Sequence, residues 1–379
     1  MTTDSRDASI LVVDDDPGML RAVSRILARR QLHVVCVDSG AAALAQAGSS
    51  RVDLAVVDVR LPEMNGFDLT RALKRDAPDV DVIIMTGNAE EPDENLLRAI
   101  DEGAFYFIQK PFDRRVLLAL VDRCLELRRL RQERERYLDR VERELEEARQ
   151  FQLGLLPPSE FQARGLTIAA RCQACSELAG DVYDYVETRD GGVALLIADV
   201  VGHGASAAMM TGLVTAGFRA SHVDDFEPRA VVGRIREGLR DFDPGRFVTL
   251  CCARLHPDRD QLIYVNAGHP EPIVRRADGS AVLLDSTGPI LSSALFEIPC
   301  EQGSADFAPG DSLLLYTDGV TESRGPRGFF GRDQLVEAFL RREPRGAEFL
   351  VALLAELDAF SESSGRQDDV TLLTLDRDE

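Results

Sequence analysis

The sequence predicts an α/β domain built on a parallel sheet over residues 8–126, a helical linker over 127–153, and an α+β domain over 154–379, two packed sheets flanked by helices. Three observations lead there. Apolar runs alternate with helix-length segments in the first third; a stretch without Gly or Pro and dense in both charge signs follows; short strand-like runs with intervening helical stretches fill the rest.

In the first region the strands are ILVVD, VVCVD, LAVVD, VIIMT and FYFIQK. Strands alternating with helices imply βαβ crossovers, and in such sheets ligands bind at the carboxyl ends of the strands. Those ends carry Asp14 and Asp15, then Asp58, Thr86 and Lys110. The acids suit a divalent ion, the hydroxyl and ammonium an anion, and one carboxylate can accept a phosphoryl group. Asp16 precedes Pro17 and reads as a helix N-cap with Pro at the first helical position.

The linker spells VDRCLELRRLRQERERYLDRVERELEEARQF. Counting sevens from Cys124 gives Arg131, Leu138, Leu145 and Gln152, with Leu127, Arg134, Val141, Ala148 and Leu155 in the complementary positions. This predicts a coiled coil whose apolar stretch runs from Leu138 to Ala148, hence a homodimer through the linker helix; a single solvated connecting helix is the alternative. The helix is expected to stop before Pro157 and Pro158.

In the third region the strand-like runs are LTIAAR, VALLIAD, VTLCCARL, LIYVNAG, SLLLYTD and VTLLTL, with helical stretches such as 205–220, 228–241 and 333–342. Asp199, Asp318 and the Asp368, Asp369 pair sit at the edges of apolar runs, and Asp181 lies in ELAGDVYDYV. A single such acid is usually a turn residue. Carboxylates delivered by strand ends from distant parts of a chain are a common way to build an oxygen-ligand site for hard divalent metals. Cys172 and Cys175 form one CxxC, but Cys251 and Cys252 are adjacent and chelate poorly, so the thiols read as buried or ordinary rather than as a zinc site.

The 379 residues carry 44 Lys plus Arg against 65 Asp plus Glu, a formal charge of -21, which argues against nucleic acid as a partner. No long apolar run suggests a membrane span, and the amino terminus lacks signal-peptide regions. Seven cysteines without framework spacing fit a reducing compartment, so a cytoplasmic location is expected.

Residues 8–126 resemble a response-regulator receiver domain of the flavodoxin-like (βα)5 type through ILVVDDDPGML, VVDVRLPEMNG, IIMTG and FIQKPF. The resemblance implies that Asp58 is the phosphoacceptor and that Asp14, Asp15, Asp58 and the Arg60 carbonyl hold Mg2+. Thr86, Phe107 and Lys110 would form the switch, Thr86 and Lys110 on the phosphoryl oxygens and Phe107 changing rotamer. A sensor histidine kinase would be the phosphodonor. Gly87 stands where the family more often has Ala.

The carboxyl region resembles PP2C-type (SpoIIE/RsbU-like) serine/threonine phosphatases, an α-β-β-α sandwich, through FQLGLLP, ELAGDVYDYV, IADVVGHGASAAMM, YVNAGHPEPIV, LLLYTDGVTES and QDDVTLL. This implies two Mn2+ or Mg2+ ions held by Asp181, Asp199, the Val200 carbonyl, Asp318 and Asp368, with Asp369 bracing Asp368. Gly202 and Gly319 would permit tight turns around the metals. His203 is a candidate proton donor to the leaving oxygen that the resemblance does not require, and His269 is expected to fix a turn. GPILSSALF replaces the Gly-rich segment usual after the NAGHP strand.

The function so implied is a two-component response regulator whose output is metal-dependent dephosphorylation of phosphoserine or phosphothreonine, with a phosphorylated anti-sigma-factor antagonist as substrate. The alternative is a non-catalytic sigma-factor adaptor with a phosphatase-like domain. The retained acids favour the enzyme, since an adaptor needs no metal ligands.

Overall fold

The computed structural model describes residues 8–28, 30, 32–87, 101–202, 204–326, 328–341, 345–361 and 368–378. The chain divides into two compact units, residues 1–140 and 141–379.

In the first unit β1 (Ser9–Val13), β2 (His33–Val37), β3 (Leu54–Asp58), β4 (Asp81–Thr86) and β5 (Tyr106–Gln109) form a parallel sheet in the order β2-β1-β3-β4-β5. Successive residues of a strand face opposite sides. Leu11, Val13, Ala55 and Val57 therefore pack with Phe67, Leu69 and Leu73 on one face, and Ile10, Val12, Leu54 and Val56 with Val23, Leu27, Leu117 and Val121 on the other. Burial on both faces is why the central strands read as continuous apolar runs, each large side chain contributing about 1.5–3 kcal/mol. Three helices are capped by the side chains before them. Asp16 accepts the Gly18 N–H at 2.7 Å ahead of α1 (Pro17–Ala28), as the Asp16–Pro17 pair predicts. Ser39 accepts from Ala42 ahead of α2 (Gly40–Ser49), and Asn65 accepts from Phe67 at 2.9 Å ahead of α3 (Gly66–Asp76).

Helix α4 runs from Arg114 to Leu155, 42 residues, and ends ahead of Pro157 and Pro158. Its start belongs to the first unit's core, where Leu117, Val121 and Cys124 are buried. Cys124, the origin of the heptad count, is thus a core residue. Arg131 is likewise engaged, 3.3 Å from Asp81 Oδ1 and with its guanidinium 5.1 Å from the Phe105 ring centre. Farther along, Leu138 is exposed while Val141 and Leu145 are half-buried.

In the second unit the chain makes β6 (Glu160–Ala163), β7 (Leu166–Gln173), β8 (Asp181–Glu187), β9 (Val193–Val200), α5 (Ala205–Arg219), α6 (Pro228–Gly238), β10 (Phe247–His256), β11 (Gln261–Ala267), β12 (Ile273–Arg275) and β13 (Ala281–Leu283). There follow β14 (Leu291–Ser292), β15 (Gly303–Asp306), β16 (Ser312–Tyr316), α7 (Asp318–Thr321), the ribbon β17 (Arg324–Gly325) and β18 (Gly328–Phe329), α8 (Gly331–Arg341), α9 (Ala347–Ser361) and β19 (Val370–Arg377). Two antiparallel sheets result, β15-β11-β10-β9-β8 and β13-β12-β16-β19-β7-β6, with β14 on the edge of β10.

Alternation sorts the side chains into three layers. Tyr183, Leu195, Ile197, Cys251 and Ala253 meet Ile168, Leu313, Leu315, Leu373 and Leu375 between the sheets. Outward, Leu196, Ala198 and Cys252 pack under Val214, Phe218 and Ile235 of α5 and α6, and Leu314, Tyr316 and Leu372 pack with Leu335, Phe339, Leu350 and Leu353 of α8 and α9. The architecture is the α-β-β-α sandwich anticipated from the sequence. Adjacent Cys251 and Cys252 point into different layers, so they share no site.

Candidate active site

Asp58 closes β3, and its carboxylate is gripped from two sides. Oδ2 accepts the Arg60 N–H at 2.9 Å, and Oδ1 lies 2.6 Å from Lys110 Nζ. The same ammonium is 2.6 Å from Asp14 Oδ2, while Asp14 Oδ1 accepts the Asp16 N–H at 3.0 Å. Burial raises the Asp14 pKa, opposed by its bonds to Lys110 and Asp16. Burial alone would depress Lys110, but the hydrogen bonds and charges of Asp14 and Asp58 outweigh it and hold the amine above its ordinary value. Asp14, exposed Asp15 and Asp58 each offer an oxygen within 4.8 Å of the others. Thr86 ends β4, and its carbonyl accepts the Lys110 N–H at 2.6 Å; Phe107 is half-buried against the face shared with Leu11 and Val57. The first unit therefore brings the predicted acids, Thr86 and Lys110 to one end of the sheet.

In the second unit, antiparallel pairing sets Asp181 opposite Asp199 and Asp199 opposite Thr249. Asp318 opens α7 directly after β16, and Asp369 directly precedes β19, the neighbour of β16. Thr317 joins the two groups: its hydroxyl donates to Asp181 Oδ2 at 2.8 Å and accepts the Thr371 N–H at 2.9 Å. Asp369 is buried, with its oxygens accepting the N–H groups of Cys175 at 2.8 Å and Gly180 at 2.6 Å. It thus braces the loop before β8; toward Asp368 its contact is the Asp369 N–H donating to Asp368 Oδ1 at 2.9 Å.

Among the described residues no Lys or Arg is ion-paired with Asp181, Asp199 or Asp318. Burial, then the charges of Asp318, Asp368 and Asp369, push Asp199 up to about 7. Burial and then Asp199 raise Asp181 well above the carboxylate range, and burial and then Asp368 raise Asp318. Uncompensated hard oxygen donors of this kind fit divalent cations, whose charge reverses the repulsion. These acids do not close into a three-oxygen group as tight as that of the first unit.

His269 is buried, its N–H donating to Asn266 Oδ1 at 2.9 Å and its Nδ1 2.9 Å from Thr249 Oγ1. Burial lowers its pKa to about 3, so it is a neutral fixture of the NAGHP turn. His203 lies outside the described residues. Cys172 is half-buried and Cys175 exposed; burial pushes both thiols up to about 12, which leaves them poor nucleophiles. Thr317, inside LLLYTDG, is a participant to which the sequence alone assigns no role at the site.

Gly319 owes its identity to close approach, because a Cβ there would lie 1.9 Å from the Asp369 carbonyl oxygen. Gly319→Ala is expected to cost about 2–3 kcal/mol by urea unfolding, as overpacking against backbone cannot relax by a rotamer change. An unchanged midpoint would show that the segments carrying Gly319 and Asp369 separate easily.

A parallel five-stranded unit with an acidic, lysine-bearing end, followed by a two-sheet sandwich with clustered carboxylates, defines a receiver joined to a PP2C-type fold. The family model for stage II sporulation protein E (SpoIIE) matches residues 189–378, and the response regulator receiver domain matches residues 10–122. The chain belongs to the SpoIIE family and carries an amino-terminal receiver domain. It is 29% identical over 266 residues to Protein IcfG of Synechocystis, covering 62% of this chain and 41% of that protein. It is 26% identical over 239 residues to the phosphoserine phosphatase RsbU of Bacillus subtilis, covering 62% of this chain and 71% of that one. The SiaA-PP2C domain of Pseudomonas aeruginosa shares the fold, with TM-score 0.56 and 22% identity over 64% of this chain and 99% of that domain. The receiver is 36% identical over 121 residues to the transcriptional regulatory protein GlrR of Escherichia coli, 32% of this chain and 27% of that one. No helix among the described residues is long and apolar enough to cross a membrane.

Proposed function

We propose that this chain is a response regulator whose output is a metal-dependent protein serine/threonine phosphatase. The observation that carries the reading is the gathering of Asp181, Asp199 and Asp318, from three separate strand ends, into one region where no Lys or Arg among the described residues pairs with them. Asp181, Asp199, the Val200 carbonyl, Asp318 and Asp368 would hold two Mn2+ or Mg2+ ions. When bound, such ions lower the pKa of a water and take up charge on a phosphate ester. Thr317 orients Asp181, and Asp369 holds Gly180 beside the Val200 strand end. In the receiver, Asp14, Asp15, Asp58 and the Arg60 carbonyl would hold Mg2+, and Lys110 and Thr86 would receive the phosphoryl oxygens on Asp58, with Phe107 as the responding aromatic.

The substrate we propose is a phosphorylated anti-sigma-factor antagonist, and the phosphodonor a sensor histidine kinase; the likeness to a phosphoserine phosphatase supports the first. A homodimer through α4 is supported by exposed Leu130 and Leu138 between the two engaged ends of that helix. The test is turnover of a phosphoserine peptide by the full chain with and without Mn2+. Mn2+-dependent release of phosphate is expected. No turnover with any divalent metal would leave the non-catalytic sigma-factor adaptor as the better account.

A further inference from the structure

Near the end of α4, Gln152 pairs with the main chain of Ala179 as a strand would. Its Nε2 donates to the Ala179 carbonyl at 2.7 Å and its Oε1 accepts the Ala179 N–H at 3.0 Å. The same Nε2 lies 3.1 Å from Thr211 Oγ1 on α5, a hydroxyl that itself donates to Ala208 O at 2.7 Å. A primary amide carries the donor and the acceptor this pairing needs in one neutral group. The next residue, Gly180, is tied on its other side, its N–H donating to Asp369 at 2.6 Å and its carbonyl accepting the Val200 N–H at 3.1 Å. Asp181 follows at once. Room is short there, since a Cβ on Gly180 would lie 2.9 Å from the Val200 oxygen.

A cavity of about 750 Å3, lined among others by Leu145, Arg149, Cys172 and Cys175, adjoins Gln152, Ala179 and Asp181. Without the amide, both main-chain groups of Ala179 would face that space and its water. The end of α4 is itself anchored, because Arg219 donates to the Leu155 carbonyl and pairs with Asp184 at 2.8 Å, and Tyr185 Oη donates to Pro158 O at 2.7 Å.

We propose that Gln152 is a positioning residue for Asp181: it fixes the Ala179–Asp181 main chain, so that Asp181 is presented beside Asp199 before any cation arrives. The heptad position assigned to Gln152 is thereby taken by an intramolecular role. The consequence for metal affinity rests on the metal-dependent reading above; the consequence for the main chain does not.

The experiment compares the full chain with Gln152→Met, which keeps the volume and loses the pairing, and Gln152→Glu, which keeps an acceptor for the Ala179 N–H and loses both donor contacts. An Asp15→Asn background removes one of the three clustered acids of the receiver, and the same background in all variants makes its residual binding cancel in the comparison. Amide hydrogen exchange of the metal-free chain should be about tenfold faster at Ala179 in Gln152→Met, about what one or two lost net hydrogen bonds amount to, and closer to wild type in Gln152→Glu. Equilibrium dialysis should show Mn2+ bound about tenfold more weakly by Gln152→Met, with exchange in β10 unchanged. Wild-type exchange at Ala179 in both variants overturns the positioning role. Faster exchange with unaltered Mn2+ affinity overturns its link to Asp181. A parent that binds no Mn2+ at all would instead sink the metal reading, while the exchange rates still decide what Gln152 holds.

Discussion

Asp199→Asn should lower turnover of a phosphoserine peptide by about a thousandfold, the equivalent of about 4 kcal/mol of transition-state stabilisation. Asp199 faces Asp181 across β8 and β9, and its raised pKa comes from burial and from the charges of Asp318, Asp368 and Asp369. If Asp199 is a ligand as proposed, its loss weakens whatever cation the group shares. Turnover within tenfold of wild type at saturating Mn2+ would remove Asp199 from the metal set. Stability gives an independent reading with a fixed sign. A carboxyl raised in the folded state binds its proton more tightly there than in the unfolded chain, so unfolding free energy falls as pH rises between the two values. With Asp199 at about 7 when metal-free and an unfolded value of about 4, that window should show a falling Tm. Asp199→Asn should flatten it and melt higher than wild type near neutrality without metal. Equal slopes for both proteins would mean that Asp199 feels no such repulsion.

How much of this was legible in the sequence depended on whether an element declared itself by its own pattern. The central strands β1, β3, β4, β9 and β16 did, because burial on two faces forces uninterrupted apolar runs. Helices over 205–219, 228–238 and 331–341 fall where periodicity placed them. Helix α9 is not legible in the same way, because AEFLVALLAELDAFS is apolar around much of its circumference, which blunts the 3.6-residue signal. Strand β8 does not declare itself as a strand, since Asp181 and Asp184 break its apolar run; both are buried, satisfied by Thr317 and Arg219. The acids of the site were visible because metal chemistry restricts the residue type. Gln152 was not, because its role lies in a pairing with main chain that is far away in sequence and leaves no compositional trace. Cys124, the origin of the heptad count, lies in the first unit's core, and Arg131, a polar break in that count, meets Asp81, because a helix that serves a core at one end and a solvated span in the middle has two partners that one period cannot describe.

Asp58→Asn should abolish phosphoryl uptake by the receiver. Asp58 ends a fully buried strand, one carboxylate oxygen held by the Arg60 N–H and the other by Lys110, whose ammonium also neutralises Asp14. That grip fixes an oxygen toward the open end of the sheet, where Asp15 lies exposed. Gly66 allows the loop to fold this closely, because a Cβ there would lie 2.1 Å from the Asp58 carbonyl oxygen. In the proposed reaction a carboxylate oxygen of Asp58 would attack the phosphorus of the donor, the bond from phosphorus to the donor oxygen or nitrogen would break, and the donor would leave with its electron pair. An amide of the same shape lacks the nucleophilic oxygen and the charge that Lys110 pairs with. With Mg2+ and a small phosphodonor, intact-mass measurement should find one acid-labile phosphoryl group on the wild type and none on Asp58→Asn. Lys110→Gln should still be labelled, since it removes no attacking atom, but should lose the phosphate-dependent change in phosphatase rate. Equal labelling of Asp58→Asn would move the acceptor to another acid of the same end, Asp14 or Asp15, and with it the origin of the signal proposed here to control the second unit.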